Sequence, residues 1–276
     1  MDLNPTGRFS SRVGDYIRYR PSYPDSIIPL LERECGLRPE SRIADIGSGT
    51  GLLAQLFLRF GCAVSGVEPN ADMRLAGDRL LAAESRFHSV DGRAEHTGLH
   101  DASMDVVTAG QSFHWFDAPA ARTEFRRILK PPGWVVLVWN ERLVEGRFLE
   151  EYEALLERYA PDYSKVDHRR MDAGVMDGFY GNGQWKLSTF PNVQQFDLEG
   201  VLGRLDSSSY APARDTDAHT RMTEALTNLF AECRQDGLVA FRYGTKVYVG
   251  RVTDLPSAGF QPASDPCETL PADKCR

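Results

Sequence analysis

The stretch Asp45-Ile46-Gly47-Ser48-Gly49-Thr50-Gly51 restricts what this chain can fold into more than any other stretch. A β-branched run over residues 42–46 leads into it, and residues 52–58 follow with the apolar spacing of a helix. A strand, a glycine turn and a helix in this order bring backbone N–H groups at a helix N-terminus up to a nucleotide-like ligand. The stretch therefore predicts a ligand-binding loop at the carboxyl end of a strand.

Strand and helix signals alternate from residue 42 to residue 139. Short apolar runs predict five strands, at residues 42–46, 63–67, 87–90, 104–109 and 134–139. Helical patterns lie between them, at residues 52–58, 72–81 and 119–129. This alternation is typical of a parallel sheet that helices cover on both faces. We therefore predict an α/β, doubly wound fold.

The second half of the chain has a less regular pattern. Helices are predicted at residues 148–159, at 201–205 as a single turn, and where Met222, Leu226, Leu229, Phe230 and Cys233 share one face. Residues 193–198 predict a strand, and strict alternation over 239–249 predicts one long strand or a hairpin bent at Gly244. Residues 160–188 have no pattern that we can assign. Four prolines in residues 251–276 predict a disordered tail.

Charge and cysteine usage restrict the partners and the compartment. A net charge of −7 with dispersed basic residues argues against a nucleic-acid partner, which needs basic patches. No apolar stretch reaches membrane-spanning length, so we expect no membrane partner. Five cysteines without a CxxC pair indicate reduced thiols in a cytoplasmic protein. His96 and His100 have no evident third ligand, and no metal site is predicted.

The glycine spacing narrows the class of ligand. Leu52 stands where a dinucleotide-binding fingerprint has its third glycine, and no Gly-Lys-Ser/Thr follows as in a P-loop. Glu68 closes the second strand about twenty residues after the first glycine. An acidic side chain at this position accepts hydrogen bonds from both hydroxyls of a ribose. Alternatively, Glu68 lies in a surface turn before Pro69 and binds no ligand. Asp45 lies within an apolar strand, where it either fixes the loop amides or meets a ligand ammonium group.

Several further pieces match one family in the correct order. They are Asp45–Gly51, Gly66-Val67-Glu68-Pro69, Gly92-Arg93-Ala94-Glu95, Asp105-Val106-Val107 and Leu129-Lys130-Pro131-Pro132-Gly133. In this series the chain resembles the class I S-adenosylmethionine-dependent methyltransferases, in the type 11 group that includes ubiquinone/menaquinone and trans-aconitate methyltransferases. The resemblance implies a Rossmann-like sheet of seven mostly parallel strands with an antiparallel edge strand. It also implies one domain, with a cofactor core at 37–145 and a completing part at 146–250.

The resemblance implies cofactor contacts for individual residues. Those expected to bind S-adenosylmethionine are Asp45, Gly47, Gly49, Gly51, Glu68, Pro69, Asn70, Ala94, Gln111 and Tyr19. In this assignment Glu68 binds the ribose diol, Ala94 offers its N–H to the adenine, and Gln111 lies near the sulfonium. Arg93 departs from the family, where aspartate often accepts from the adenine amino group. That contact is absent here, or Asp91 or Glu95 supplies it.

The side of the methyl acceptor is less well defined. Residues 9–24 are rich in aromatics and arginines; alone they suggest surface packing, but the resemblance implies that residues 1–36 form a lid over the cofactor. The residues expected near the acceptor are Tyr16, Arg20, Trp115, Phe116, Arg142 and Tyr210. Arg20, Arg142 and Tyr210 are candidates to bind a carboxylate of the acceptor, although solvated arginines and a packed tyrosine explain these three equally well. His114, after a central strand, is the candidate general base, if the acceptor must lose a proton.

The predicted activity is transfer of a methyl group from S-adenosylmethionine to an O, N or C nucleophile of a small molecule. A non-catalytic cofactor-binding protein with the same fold is one alternative. A nucleic-acid methyltransferase is another, but residues 110–113 lack the Asn/Asp-Pro-Pro-aromatic motif of amino-methylating DNA enzymes. An NAD-dependent oxidoreductase is the third, which Leu52 opposes.

Overall fold

The computed structural model describes residues 13–160, 163, 172–208 and 210–252. In this part of the chain seven strands form one sheet in the order β3-β2-β1-β4-β5-β7-β6. The strands are β1 Arg42–Ile46, β2 Ala63–Val67, β3 Phe87–Val90, β4 Met104–Gly110, β5 Leu129–Arg142, β6 Trp185–Phe196 and β7 Val239–Arg251. Among the described strands, β7 alone runs in the opposite direction to the other six. It pairs with β5 and β6, and β6 is the edge strand beside it. The predicted seven-stranded, mostly parallel sheet is confirmed.

Nine α-helices accompany the sheet in the described residues. They are α1 Val13–Tyr19, α2 Ile27–Cys35, α3 Leu52–Phe60, α4 Ala71–Leu80, α5 Ala118–Ile128, α6 Arg147–Tyr159, α7 Ala173–Tyr180, α8 Leu198–Asp206 and α9 Asp217–Cys233. Side-chain oxygens of Asn70, Asp117, Asp197 and Thr216 cap the first turns of α4, α5, α8 and α9. These caps satisfy N–H groups that a helix leaves without an internal partner.

The central strands are buried on both faces, which explains their continuous apolar sequence. Alternate residues point to opposite faces of a sheet. Ile43, Val106 and Val136 accordingly pack in one core cluster, together with α2 and α3. Their neighbours, such as Ala44 and Val107, pack in a second cluster that includes residues of α5 and α7. A third cluster, of residues from α6, α8, α9 and β7, lies in the second half of the chain.

The local predictions were most accurate where the sheet is parallel. β1, β2 and β3 have the predicted bounds, whereas β5 extends beyond its predicted bounds at both ends and β6 begins earlier than predicted, at Trp185. The predicted strand at 193–198 is wrong at its end, since β6 ends at Phe196 and Leu198 begins α8. The hairpin alternative is wrong: β7 is one strand, and Gly244 pairs across it with Glu141 and Pro191 without a turn. Helices α1 and α7 lie in stretches to which the sequence analysis assigned no element.

The predicted tail and the predicted lid lie at the two ends of the chain and extend beyond the described residues. β7 extends to Arg251, one residue into the predicted tail, and residues 253–276 lie outside the described residues, as does the start of the predicted lid, residues 1–12. None of the helices described combines the length and apolar composition needed to cross a bilayer. Cys35, Cys62 and Cys233 are free thiols.

Candidate functional site

A cavity of about 560 Å³ opens at the carboxyl ends of β1, β2 and β4. This is the edge at which open α/β sheets bind their ligands. Its wall comes from the glycine loop, from the segments that follow β2, β3 and β4, and from α1. The lining residues are Tyr16, Gly47, Gly49, Glu68, Pro69, Asn70, Met73, Arg93, Ala94, Glu95, Gly110, Gln111, Ser112, Trp115, Phe116 and Asp117.

The glycine loop contributes space to the cavity rather than free donors. Gly47 has φ +65°, and a Cβ there would lie 2.6 Å from Ser112 Cβ. The N–H groups of Gly47 and Ser48 donate to Val67 O at 2.8 and 3.2 Å, and Gly49 N–H donates to Glu68 Oε2 at 2.9 Å. These three N–H groups therefore already have acceptors within the protein.

Gly51 does not line the cavity, although it was expected to. It is the residue before α3, with φ +84°, and a Cβ there would lie 2.6 Å from Leu81 Cδ1. This glycine therefore allows α3 to start against α4. Its role is in packing and backbone conformation.

Glu68 lies on the wall with its carboxylate held in place. Oε1 accepts from Asn70 N–H at 2.8 Å, and Oε2 accepts from Gly49 N–H at 2.9 Å. Burial raises the pKa of this carboxyl, and the two backbone N–H groups oppose that rise. A carboxylate has about four lone-pair sites. Two protein donors therefore leave acceptor capacity for two hydroxyl groups of a ligand.

Pro69, Asn70, Met73 and Ala94 form the part of the wall next to Glu68. Asn70 is fixed as the cap of α4, where Oδ1 accepts from the N–H groups of Asp72 and Met73, both at 3.0 Å. Ala94 N–H makes no hydrogen bond to any described residue. Apolar surface with one available donor suits a flat heteroaromatic ring.

The charged residues of the wall are mostly acidic. Glu68, Glu95 and Asp117 contribute carboxylates, against the single guanidinium of Arg93. Of the two acids considered as substitutes for the missing family aspartate, Asp91 pairs with Arg74 at 3.1 Å and does not line the cavity. Glu95 does line it, and its Oε1 accepts from Asp117 N–H at 2.8 Å. The excess of carboxylates favours a ligand with positive charge.

Gln111 lines the cavity in a backbone conformation that is uncommon for a residue with a side chain. Its φ is +57°. Three hydrogen bonds hold it there: its N–H donates to Val138 O at 3.0 Å, Oε1 accepts from Asn140 N–H at 3.0 Å, and Nε2 donates to Asn140 O at 3.4 Å. Such conformations cluster at functional sites.

Asp45 is buried beneath the loop and does not line the cavity, so the structure does not show the expected ligand contact. It is 1% exposed, and Oδ1 accepts from Thr108 Oγ1 at 3.0 Å. Oδ2 has no hydrogen-bond partner among the described residues. Burial raises the pKa of this carboxyl to about 7, although the Thr108 hydrogen bond opposes the rise.

Replacing Asp45 by Asn should remove part of the pH dependence of stability. Because the folded protein holds this proton up to about pH 7, whereas an unfolded aspartate loses it near about pH 4, the free energy of unfolding falls between these values as pH rises. The wild type should lose on the order of a few kcal/mol over this range relative to Asp45→Asn. Urea unfolding of both at pH 5 and pH 8 measures this; equal pH slopes would contradict the assignment.

Of Tyr16 and Tyr19, the two tyrosines of the N-terminal segment that were expected near the ligands, only one reaches the cavity. Tyr16 lines it. Tyr19 does not, because its ring packs over Gly203 of α8, where a Cβ would lie 2.0 Å from Tyr19 Cε2. Residues 21 and 22 are held by their carbonyls, which accept from Asn140 Nδ2 at 3.4 and 3.2 Å, and Asn192 Nδ2 also donates to Ser22 O at 2.7 Å.

Trp115 and Phe116 line the cavity as expected, whereas His114 does not. The His114 ring packs against Trp115 and Trp139, with centroid distances of 4.5 and 5.4 Å. Both ring nitrogens are shielded from solvent. The geometry therefore gives no support to His114 as the general base, because the ring is turned toward indole surfaces.

The other expected acceptor residues lie away from the cavity wall. Arg20, Arg142 and Tyr210 belong to a buried group that packs between α1, α8 and the ends of β5 and β7. The interpretation of both arginines as solvated is wrong, since Arg142 has a side chain 10% exposed and Arg20 Nε is buried.

Sequence reasoning missed several wall residues. Met73, Gly110, Ser112 and Asp117 were not predicted, nor was Asn140, which orients Gln111. A usable signal was available for Met73 alone, because the first turn of a helix after β2 must face the same sheet edge as Glu68. In the described part of the chain, no group of three or more His, Cys, Asp or Glu could hold a metal ion.

Known proteins share this sequence and fold. A family model described as a methyltransferase domain matches residues 44–137. An uncharacterised methyltransferase-like protein of Schizosaccharomyces pombe is 32% identical over 206 residues, which are 73% of this chain and 77% of that protein. An uncharacterised methyltransferase of Mycobacterium tuberculosis is 38% identical over 138 residues, 49% of this chain and 52% of that protein. The match therefore spans about half the length of the mycobacterial relative.

A solved structure extends the likeness of fold to most of the chain. It is assigned as a type II methyltransferase from Anaeromyxobacter dehalogenans and superposes with a TM-score of 0.62 at 22% identity. The match covers 85% of this chain and 98% of that chain. It includes the second half, where the family model does not reach.

Proposed function

The chain belongs to the class I methyltransferases, and we propose that it transfers the methyl group of S-adenosylmethionine to an O, N or C nucleophile of a small molecule. The arrangement of Glu68 carries the proposal. Its carboxylate lies on the cavity wall, is fixed by two backbone N–H groups, and retains acceptor sites for a ribose diol. The adjoining apolar wall with the Ala94 N–H suits an adenine ring.

The charge of the cavity agrees with this cofactor. S-adenosylmethionine carries a sulfonium and an ammonium group against one carboxylate, and the wall carries three carboxylates against one guanidinium. The ring faces of Tyr16, Trp115 and Phe116 tolerate a cation well. When bound, the cofactor supplies a methyl group that its sulfonium already activates.

The residues of this chain have to align the acceptor and exclude water. The aromatic wall removes solvent, which strengthens every electrostatic interaction inside the cavity. Gln111, fixed in one orientation by Asn140, offers a rigid polar group at the carboxyl end of β4. An acceptor that keeps its proton until after attack needs no general base, and the displacement of His114 from the wall is compatible with such an acceptor.

Calorimetric titration tests the cofactor first. We expect the purified protein to bind S-adenosylmethionine and S-adenosylhomocysteine and not NADH. Incubation with methyl-labelled cofactor and panels of small acids, phenols and amines should then transfer label to one panel, while transfer RNA and duplex DNA stay unlabelled. Absence of cofactor binding by a folded preparation would contradict the proposal, and binding without transfer to any panel would favour a non-catalytic role.

A further inference from the structure

A second buried polar group lies beside the cavity, and the proposed function gives it no role. We call it the arginine cluster and define it by three guanidinium groups with their tyrosine neighbours: Arg20, Arg142, Arg204, Tyr152, Tyr210 and Tyr243. Arg204 is 5% exposed, Tyr152 1% and Tyr243 2%. Its members come from the end of α1, from β5, α6, α8 and β7, and from the segment after α8.

The cluster has more positive than negative charge. Glu153, which forms an ion pair with Arg142 Nη2, is its one carboxylate among the described residues. Arg20 Nη2 donates to the carbonyl of Ser207 at 2.8 Å. Arg204 donates to neutral oxygens, Tyr243 Oη at 3.2 Å and Ser208 Oγ at 2.9 Å. Burying a guanidinium without an anion is costly, so two charges remain to be balanced.

Three donors of the cluster have no acceptor among the described residues. They are Arg20 Nε, Arg142 Nη1 and Tyr152 Oη, all buried. Buried polar groups are nearly always hydrogen-bonded, and each exception requires a physical reason. Donors from three separate elements, all left without acceptors beside excess positive charge, are what an anion with several oxygens would satisfy.

The positive charges of all three guanidinium groups affect the hydroxyl of Tyr210. Burial alone raises the pKa of a tyrosine, as it does for Tyr152. The pKa of Tyr210 is lowered instead, because the positive charges of Arg204, Arg142 and Arg20 together outweigh the effect of burial. A single small anion near Tyr210 would therefore experience the field of all three.

The cluster is connected to the cofactor cavity by one ring contact and by a shared strand. The Tyr16 ring lines the cavity, and the Arg20 guanidinium lies over that ring at 5.1 Å from its centroid. On the other side, Gln111 lines the cavity and is bonded to Asn140, which lies two residues before Arg142 on β5. Residues two apart on a strand point to the same face.

We propose that the arginine cluster binds an anionic group of the methyl acceptor, so that the substrate is a small carboxylate or phosphate ester. This inference rests on the proposed function. A carboxylate or a phosphate has the several acceptor oxygens that the donors require, and arginine binds both in the same bidentate manner. The anionic end lies in the cluster and the nucleophile points past Tyr16 toward the methyl donor.

Calorimetry on the protein saturated with S-adenosylhomocysteine tests the proposal. The probes are citrate, succinate and inorganic phosphate, with succinamide as the uncharged control. We expect at least one anion to bind, with affinity that falls as salt rises, and succinamide not to bind. Binding of citrate or succinate alone identifies a carboxylate site, and binding of phosphate alone identifies a phosphate site.

Two variants locate the binding. Arg20→Gln should weaken anion binding by about tenfold or more, the scale of a lost hydrogen bond to a charged group. Arg18→Gln, one residue before Tyr19 on α1 and 66% exposed in its ion pair with Glu199, should leave it unchanged. Both should bind S-adenosylhomocysteine like the wild type.

The outcomes separate this inference from the proposed function. If the cofactor binds and no anion does, or if Arg20→Gln binds the anion as tightly as the wild type, the arginine cluster is not the acceptor site. If S-adenosylhomocysteine itself fails to bind, the proposed function fails instead. Should Arg20→Gln not fold, the comparison of succinate with succinamide on the wild type still decides the question.

Discussion

Gly47→Ala should destabilise the protein by about 2–5 kcal/mol and remove most of its cofactor affinity. The new Cβ would lie 2.6 Å from Ser112 Cβ and 2.9 Å from Ser112 Oγ, so the loop or the segment after β4 must move. Ser112 cannot simply turn away, because its Oγ donates to Ile46 O at 2.8 Å. Both segments line the cavity, and their displacement distorts it.

Gly36→Ala is the matched control for this prediction. Gly36 has φ +66°, nearly the value of Gly47, but a Cβ there would have no atom within 4 Å. Its substitution therefore carries only the cost of the left-handed conformation, about 1–2 kcal/mol, and leaves cofactor affinity unchanged. Chemical denaturation and calorimetry measure both quantities. Equal stability losses in the two variants would show that the close approach of Gly47 to Ser112 is not a rigid constraint.

The fold from β1 to β5 follows from the sequence because each signal there is local. A buried parallel strand is a short continuous apolar run, and it ends where glycine or a polar residue begins the next turn. Glu68 and Ala94 fell on the cavity wall for the same reason, since every parallel strand places its carboxyl end at one edge. Strand order and helix register did not have to be known.

The errors arose where a role depends on contacts between distant parts of the chain. The loop amides looked available, but the carbonyl of Val67 on the neighbouring strand accepts two of them. Tyr16 and Tyr19 were both expected at the site, because nothing local shows that the Tyr19 ring packs over Gly203. His114 looked like a residue of the site until Trp139, on the adjacent strand, proved to pack against it.

The arginine cluster is the clearest example of non-local information. The sequence indicates Arg20 and Arg142 as candidate ligands of an acceptor carboxylate, whereas for Arg204 it predicts only a position in a helical turn. Only the packing of α8 against α1 brings Arg204 and Arg20 together. The arginines and tyrosines can be read from the sequence, but which of them lie together depends on how the helices and strands pack.

Glu68→Ala should weaken cofactor binding by about 1–3 kcal/mol, which is about 5- to 150-fold in affinity. Alanine removes the two acceptor sites assigned to the ribose hydroxyls. It also releases the N–H groups of Gly49 and Asn70, so a loss of stability in the free protein is expected as well. Glu157→Ala, in the exposed face of α6, is a control that should change neither property.

The effect of Glu68 on the ribose hydroxyls can be measured separately from the loss of stability that Glu68→Ala also causes. The measurement is a calorimetric cycle that compares S-adenosylhomocysteine with its 2′,3′-dideoxy analogue on the wild type and on Glu68→Ala. We expect the wild type to prefer the diol by about tenfold or more and Glu68→Ala to show no preference. Equal binding of the two ligands by the wild type, or an unchanged preference in the variant, would contradict the assignment of this cavity to S-adenosylmethionine.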